Sequence, residues 1–433
     1  MSESANNQNV VDVLKERGFV HQMTETGLYE DAESSQLVVY CGFDPTAPSL
    51  HIGHLQQVLG LAHFQRQGHR VIALVGGGTG LIGDPSGRSQ ERQLLSKSET
   101  ADNVAKIQKQ LSRFLSFEGS NPAIMEDNVN WLAQWRLVDF LRDIGKYFTI
   151  NSMMAKDSVR IRLEERDQGI SYTEFSYMLC QAADYLYLFE NHGCNVQIGG
   201  SDQWGNITAG IDLIRKSKGK TAHGVTFPLL TTASGAKFGK SAGNAMWLDP
   251  EMSSPYQVYQ FWMNTDDRDV INYLKRFTFV ELSVISNLEY KLQESPQLRE
   301  AQKVLASEFV RMAYGESVAS SVQAASELLF DRHKSPLSDT LSDAVIDLLS
   351  KEVPSHRISR TQLDGQFTLI DALINLKLAE SRSNARRLIS QNGIYINNNQ
   401  HKGDDRGLDV SDLVNGRAIL VRSGRKYGLL LAE

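Results

Sequence analysis

His51-Ile52-Gly53-His54 puts two imidazoles three positions apart around a glycine, directly after the strand-and-turn pattern Tyr40–Pro48 and at the head of a helical pattern. A helix N-terminus offers unsatisfied N–H groups and the positive end of the helix dipole, so phosphate oxygens are welcome there. Two histidines on one turn can donate to such oxygens, and Gly53 lets a nucleotide lie against bare backbone. Capping histidines around a packing glycine would leave the same four letters. A second cluster, Lys237-Phe238-Gly239-Lys240-Ser241, lies in the glycine-bearing segment Ser234–Asn244. Two lysines on a flexible loop make a mobile cationic clamp, although a solvated basic loop is the commoner outcome.

Three further patterns carry polar chemistry. Tyr177, Gln181 and Asp184 stand at i, i+4 and i+7 and share one face of a helical pattern whose neighbours are mostly apolar. A half-buried polar stripe needs partners, supplied either by an internal network or by a small polar ligand. Gly76–Pro85 holds five glycines in eight positions and ends on Asp84, so its backbone turns tightly or meets a ligand closely. It is not a P-loop, because no Gly-Lys-Ser/Thr follows at the required spacing. Gly199-Gly200-Ser201-Asp202-Gln203 follows a short strand, Asn195–Ile198, and brings an acid suited to ribose hydroxyls.

The elements that must position these groups alternate. Gln36–Phe43 and Arg70–Val75 read as buried parallel strands, and Ile52–Gln67, Asn128–Lys146, Ser171–Glu190 and Gln203–Lys216 as helices. This spacing predicts an α/β fold with a doubly wound, Rossmann-like parallel sheet, which binds ligands beyond the C-terminal ends of its strands. The unusual residues cluster at those ends. From Asp249 to about Ser350 glycine nearly vanishes and helical patterns such as Leu298–Tyr314 and Ser317–Phe330 follow one another. The expected layout is a catalytic domain over 1–247, a helical domain over 248–350, a linker over 351–366 and a small α+β domain over 367–433.

Composition bounds the class. With 41% hydrophobic and 22% charged residues the chain is globular, and no run of about 18 apolar residues suggests a membrane span. Met1–Asn9 lacks the apolar stretch of a secretory signal, so a cytoplasmic protein is expected. Cys41, Cys180 and Cys194 are too scattered for a disulfide framework or a cysteine-rich zinc site. From Lys351 to Glu433 there are 13 Lys and Arg against 9 Asp and Glu, while the rest of the chain holds 32 against 42. A basic tail on an acidic body points the tail toward a polyanion.

Taken together, these residues resemble the bacterial tyrosyl-tRNA synthetases, class I aminoacyl-tRNA synthetases, over essentially the full length. His51–His54 matches the first class I signature and Lys237–Ser241 the second, in the form common to tyrosine enzymes. Tyr40–Ala47 and Gly199–Asn206 are longer matches specific to this family, and Phe367–Asn397 resembles an S4-type RNA-binding module.

The resemblance implies a tyrosine–tRNA ligase that uses ATP with Mg²⁺, charges tRNA(Tyr), holds no protein-bound metal and forms a homodimer through about 126–169. It implies that Tyr40 and Asp184 hold the phenol OH of L-tyrosine, that Asp84, Tyr177 and Gln181 hold its α-ammonium, and that Gln203 lies near its carboxylate. Cys41, Gly42, Asp44, Gly53, His54, Gly199 and Asp202 would line the ATP, with Cys41, His54 and Asp202 along the ribose. His51 and Thr46 would meet the phosphate being displaced. Arg88, Arg92, Lys237 and Lys240 would neutralise pyrophosphate, Arg88 standing where many members carry lysine. Arg382, Arg386 and Arg387 would face RNA. A tryptophanyl enzyme would share fold and signatures, but Tyr40 with Asp184 suits a phenol OH better than an indole N–H. A retired, purely RNA-binding scaffold would be expected to lose the ATP-handling residues that are present here.

Overall fold

The computed structural model describes residues 8–25, 27–86, 94–164, 169–233, 240–241, 244–330, 341–403 and 405–433. They form two compact units, one of residues 1–253 and 265–305, the other of 254–264 and 306–433.

The first unit is built on a six-stranded sheet: β1 (Gln22–Met23), β2 (Val38–Phe43), β3 (Arg70–Val75), β4 (Ile124–Asp127), β5 (Val196–Gly200) and β6 (His223–Phe227), in the order β1-β6-β5-β2-β3-β4. Strands β2 to β6 are mutually parallel, and β1 runs antiparallel to β6. Every residue of β5 and β6 is buried, as expected of strands covered on both faces. The chain winds outward in opposite directions from the β2–β5 junction, where Tyr40 and Gln197 are register partners. Such a switch point opens a crevice beyond the strand ends.

Helices Leu55–Arg66, Tyr172–His192 and Trp204–Lys218 follow the sequence expectation to within a few residues. The Ser171 hydroxyl accepts from Glu174 N at one end of the long helix, and Gly193, at φ 68°, closes the other in a conformation open mainly to glycine. The expected helix Asn128–Lys146 is instead broken into Val129–Leu132, Leu137–Asp143 and a 3₁₀ turn, Gly145–Tyr147. Arg136 takes an extended conformation (φ −79°, ψ 141°) that interrupts helical hydrogen bonding. A short hairpin, β7 (Lys240–Ser241) with β8 (Asn244–Ala245), completes this part of the unit.

In the second unit, helices Pro255–Met263, Glu316–Phe330 and Asp343–Glu352 precede a sheet of β9 (Ser355–Ile358), β11 (Ile394–Ile396), β12 (Asn399–Gln400), β14 (Ala418–Ser423) and β15 (Lys426–Ala432), ordered β12-β11-β14-β15-β9; β10 (Asp364–Thr368) pairs separately with β13 (Gly407–Asp409). Leu369 and Leu373 from helix Leu369–Asn375, Ala385 and Ile389 from helix Arg382–Ser390, and Ile419 and Val421 from β14 share one apolar core. The stretch expected as a linker contributes β9, which pairs in parallel with β15 at the edge of this sheet. Among the described residues no helix is long and apolar enough to cross a membrane, and the three cysteines are unbridged.

Candidate active site

Tyr40 and Asp184 come together at the switch point. Tyr40 is buried on β2, and its Oη has no hydrogen-bond partner among the described residues. Burial pushes its phenol well up, and the nearby Asp184 charge adds to the effect. Asp184 is only 2% exposed. Trp131 Nε1 donates to its Oδ1 at 2.7 Å and Asn128 Nδ2 to its Oδ2 at 2.8 Å. Burial raises the Asp184 carboxyl to about 8, against the opposing pull of those two donors. A buried, unpartnered hydroxyl therefore lies near a carboxyl held in place by neutral donors.

A continuous hydrogen-bond chain runs on from there. Asn128 spends its second N–H on Thr79 Oγ1 (2.9 Å), while its Oδ1 accepts from Gly78 N (2.7 Å) and Thr79 N (3.4 Å). Thr79 Oγ1 donates to Asp44 Oδ1 at 2.7 Å, and Tyr177 Oη donates to Asp44 Oδ2 at 2.8 Å. Burial, then the charges of Asp44, Asp84 and Asp184, push the Tyr177 phenol well above its ordinary range. Three carboxylates thus surround one hydroxyl, an environment that favours a substrate ammonium. Asp84 Oδ2 accepts from Gln203 Nε2 at 2.6 Å, and Asn206 Nδ2 donates to Gln181 Oε1 at 2.9 Å and lies 3.2 Å from Gln203 Oε1. Gln181, Asp84 and Gln203 are therefore one assembly through Asn206, and Tyr177 lies one helical turn from Gln181.

The glycine-rich loop serves this network. A Cβ on Gly76 would lie 2.2 Å from Asp44 Oδ1 and 2.3 Å from Thr79 Oγ1, and one on Gly77 would lie 2.3 Å from Asp127 Oδ1. At Gly76, Gly77, Gly78 and Gly80 the close approach is to the chain's own side chains, while Gly83 takes a positive φ of 87°. Asn128, Trp131, Thr79 and Asn206 were not singled out from sequence, since an Asn and a Trp at the start of an amphipathic run carry no sign of a partner more than fifty residues away. The one available signal was position: Asn128 directly follows β4, at a strand's C-terminal end.

At the other side of the crevice, His51 and His54 stack with ring centroids 3.7 Å apart on the 3₁₀ turn Ile52–His54, which leads into helix Leu55–Arg66. A Cβ on Gly53 would come within 2.8 Å of His51 Cε1, so this glycine makes room first for the imidazole. His51 N donates to His54 Nδ1 at 3.3 Å. The stem of the lysine loop is tied here: His51 forms an antiparallel bridge with Trp247, Ile52 N donates to Met246 O at 2.9 Å, and Leu248 N to Leu50 O at 2.9 Å. Lys240 is described by its backbone in β7, opposite Ala245. Lys237, Arg88 and Arg92 lie outside the described residues.

Gly42 is exposed at the end of an otherwise mostly buried strand, and an added Cβ there would meet nothing within 4 Å, which leaves backbone open to a flat ligand. Cys41 is buried, its Sγ lies 3.8 Å from Gly42 O, and burial keeps it a thiol. Thr46 N donates to Asp44 O at 2.9 Å in the turn after β2. Gly199, next to last in β5, packs against Gln203, and Asp202 sits on the 3₁₀ turn Ser201–Gln203, its Oδ1 2.5 Å from where a Gly200 Cβ would be. Arg382, Arg386 and Arg387 are exposed on helix Arg382–Ser390 of the second unit, where Arg382 pairs with Asp371 at 2.8 Å.

Comparisons with known proteins agree with this geometry. A family model described as tRNA synthetases class I (W and Y) matches residues 32–331, and a Tyrosine--tRNA ligase SYY-like C-terminal domain matches 345–431. The Tyrosine--tRNA ligase of Roseiflexus castenholzii is 49% identical over 96% of this chain and 98% of its own, and that of Geobacillus stearothermophilus 47% identical over 97% and 99%. A C-terminally truncated mitochondrial tyrosyl-tRNA synthetase from Aspergillus nidulans superposes with a TM-score of 0.68 at 34% identity, covering 75% of this chain and 94% of that one. A tryptophanyl-tRNA synthetase from Encephalitozoon cuniculi shares the fold alone, at 15% identity and a TM-score of 0.52 over 72% of this chain and 87% of that one.

Proposed function

The chain belongs to the class I tRNA synthetases of the tryptophan and tyrosine group, in the tyrosine–tRNA ligase branch, and on that premise we propose how its residues activate L-tyrosine with ATP and charge tRNA(Tyr). One observation carries the reading: a buried, unpartnered Tyr40 hydroxyl lies close enough to the donor-fixed Asp184 carboxyl to feel its charge. A phenol OH satisfies both at once, donating to Asp184 and accepting from Tyr40. Phenylalanine would leave the Tyr40 hydroxyl buried and unpaired and deny Asp184 the phenol's donation, and the tyrosine enzyme is itself the standard illustration of that penalty. The α-ammonium sits among Tyr177, Gln181 and Asp84, which turns the substrate carboxylate toward Gln203.

That carboxylate is ionised at neutral pH and needs no general base. It attacks the α-phosphorus of ATP, and as the new C–O–P linkage forms the bond to the bridging oxygen of pyrophosphate breaks. Catalysis is then a matter of alignment and of stabilising charge on phosphate oxygens. Gly42 backbone, Cys41, His54, Gly199 and Asp202 line the nucleoside. His51 and Thr46 meet the phosphate oxygens, and Arg88, Arg92, Lys237 and Lys240 take up the pyrophosphate charge. Asp44, bonded to both Tyr177 and Thr79, belongs to the network that holds the amino acid. Mg²⁺ would enter with the ATP triphosphate as its counter-charge. In the second step a terminal ribose hydroxyl of the tRNA attacks the adenylate carbonyl and AMP leaves.

Exposed apolar side chains on the broken segment, among them Leu137 (72% exposed), Val138 (73%) and Ile150 (59%), support a homodimer through about 126–169. The exposed Arg386 and Arg387, with Arg382, support RNA contact by the second unit, and cytoplasmic tRNA charging is the setting this reading expects. Asp184→Ala is expected to lower tyrosine-dependent ATP–pyrophosphate exchange about a thousandfold, since the buried acceptor for the phenol is lost and two donors are stranded, with little change in far-UV circular dichroism. Exchange within about tenfold of wild type would overturn the reading.

A further inference from the structure

The two donors that fix Asp184 are anchored very differently. Asn128 is locked by four hydrogen bonds, to Gly78, to the amide and hydroxyl of Thr79, and to Asp184 itself. Trp131 has a single N–H, spent on Asp184, so nothing polar besides the acid orients its indole. Its backbone is a weak anchor too, because Val129–Leu132 is one turn long and runs into the extended Arg136 and the exposed Leu137 and Val138. What faces the indole is Tyr187: the rings stack with centroids 4.1 Å apart and planes 13° from parallel. Tyr187 lies three residues beyond Asp184 on the helix Tyr172–His192, so acid and platform are neighbours on the same turn.

We infer that Tyr187 is a positioning residue for the choice of tyrosine over phenylalanine. One helix carries both the carboxyl that meets the phenol and the ring that aims the carboxyl's second donor, closing a triangle Asp184–Trp131–Tyr187. Tyr187 acts through Trp131 and touches no substrate. Its role needs an aromatic face and makes no use of its hydroxyl. Without the stack, the indole N–H swings off Oδ1, the carboxyl rotates away from the phenol, and the fixed geometry on which rejection of phenylalanine depends is lost.

The inference rests on the assignment of Asp184 to the phenol, and a double-mutant cycle, run beside Asp184→Ala, keeps the two separable. The readout is the ratio of kcat/KM for tyrosine to that for phenylalanine in ATP–pyrophosphate exchange by the full-length protein. Tyr187→Phe is expected to keep the wild-type ratio, and Tyr187→Leu to lower it about fivefold, in keeping with the worth of one aromatic pair. Trp131→Phe is expected to lower it further, and Tyr187→Leu added to Trp131→Phe to lower it no more. A purely structural Tyr187 would shift the melting temperature and leave the ratio alone, which overturns the inference, as would additive effects in the double variant. An unchanged ratio in Trp131→Phe overturns the inference too, since Tyr187 acts through Trp131, whereas wild-type-like exchange in Asp184→Ala removes the assignment of Asp184 on which it rests. A quench or shift of tryptophan emission on adding tyrosine, lost in Trp131→Phe and weakened in Tyr187→Leu, is the accompanying signature.

Discussion

The aryl end and the phosphate end of the site are built on opposite plans. Around Asp184 the groups are buried, neutral donors fix a carboxyl, and an unbroken chain of hydrogen bonds reaches from Trp131 through Asn128, Thr79 and Asp44 to Tyr177. Around His51 and His54 the groups sit on a helix tip that is bridged to Trp247, beside exposed backbone at Gly42. The contrast follows from what each end has to recognise. Telling a hydroxyl from a hydrogen requires a dry pocket in which an unmade hydrogen bond is expensive. Triphosphate charge, by contrast, calls for cations and N–H groups that can close on a ligand that arrives and departs.

If the two ends are separate devices, they break separately. His51→Ala should lower kcat for exchange about a hundredfold, the usual loss for one donor to a developing oxyanion, while leaving KM for tyrosine within about twofold of wild type. A comparable rise in KM for tyrosine would mean that the ends are coupled.

Gly76→Ala strikes the other end. A Cβ there collides with Asp44 Oδ1 and Thr79 Oγ1, so KM for tyrosine should rise about tenfold, the loss expected of one or two displaced hydrogen bonds. KM for ATP should hold, and its rising in step would show Asp44 to be mainly a nucleotide residue.

The smallest effect concerns His63, on the same helix that His54 leads. It is buried, packed edge-on against Phe19 (5.3 Å) and Phe279 (5.1 Å), and burial, with Arg17 and Arg66 adding to it, lowers its pKa to about 3. The unfolded chain would take up that proton near 6.5, so the neutral buried ring stabilises the fold fully above that pH. That stability is lost as pH falls through the window from 6.5 toward 3, by about 1 kcal/mol per pH unit. His63→Phe should therefore lose less thermal stability than wild type between pH 7 and pH 5. Equal losses would show that other groups govern acid sensitivity.

Much of the scaffold was legible because its signals are local. Strand Arg70–Val75 is apolar and β-branched, and occurs where expected; helix Tyr172–His192 announces itself by periodicity, by Ser171 at its start and by Gly193 at its end. Tyr177, Gln181 and Asp184 shared a face on paper and do so in space. The helix expected over Asn128–Lys146 is broken at Arg136, and its apolar Leu137, Val138 and Leu141 face outward, an orientation that helical periodicity does not show. In the tail, β9 looked like a polar linker because edge strands with one wet face lack a strong pattern.

The residue types alone settled which chemistry was on offer: histidines at a helix tip, lysines on a loop, an acid within an apolar helix. They also settled the order in which these would meet strand ends, since periodicity and caps are properties of neighbours in sequence. Only the tertiary structure decided that Asn128 and Trp131 hold Asp184, that the glycines give way to Asp44 and Asp127, and that Tyr187 backs the indole. Those choices depend on the direction and distance of side chains more than fifty residues apart, or on opposite sides of a turn, and spacing along the chain holds no record of direction.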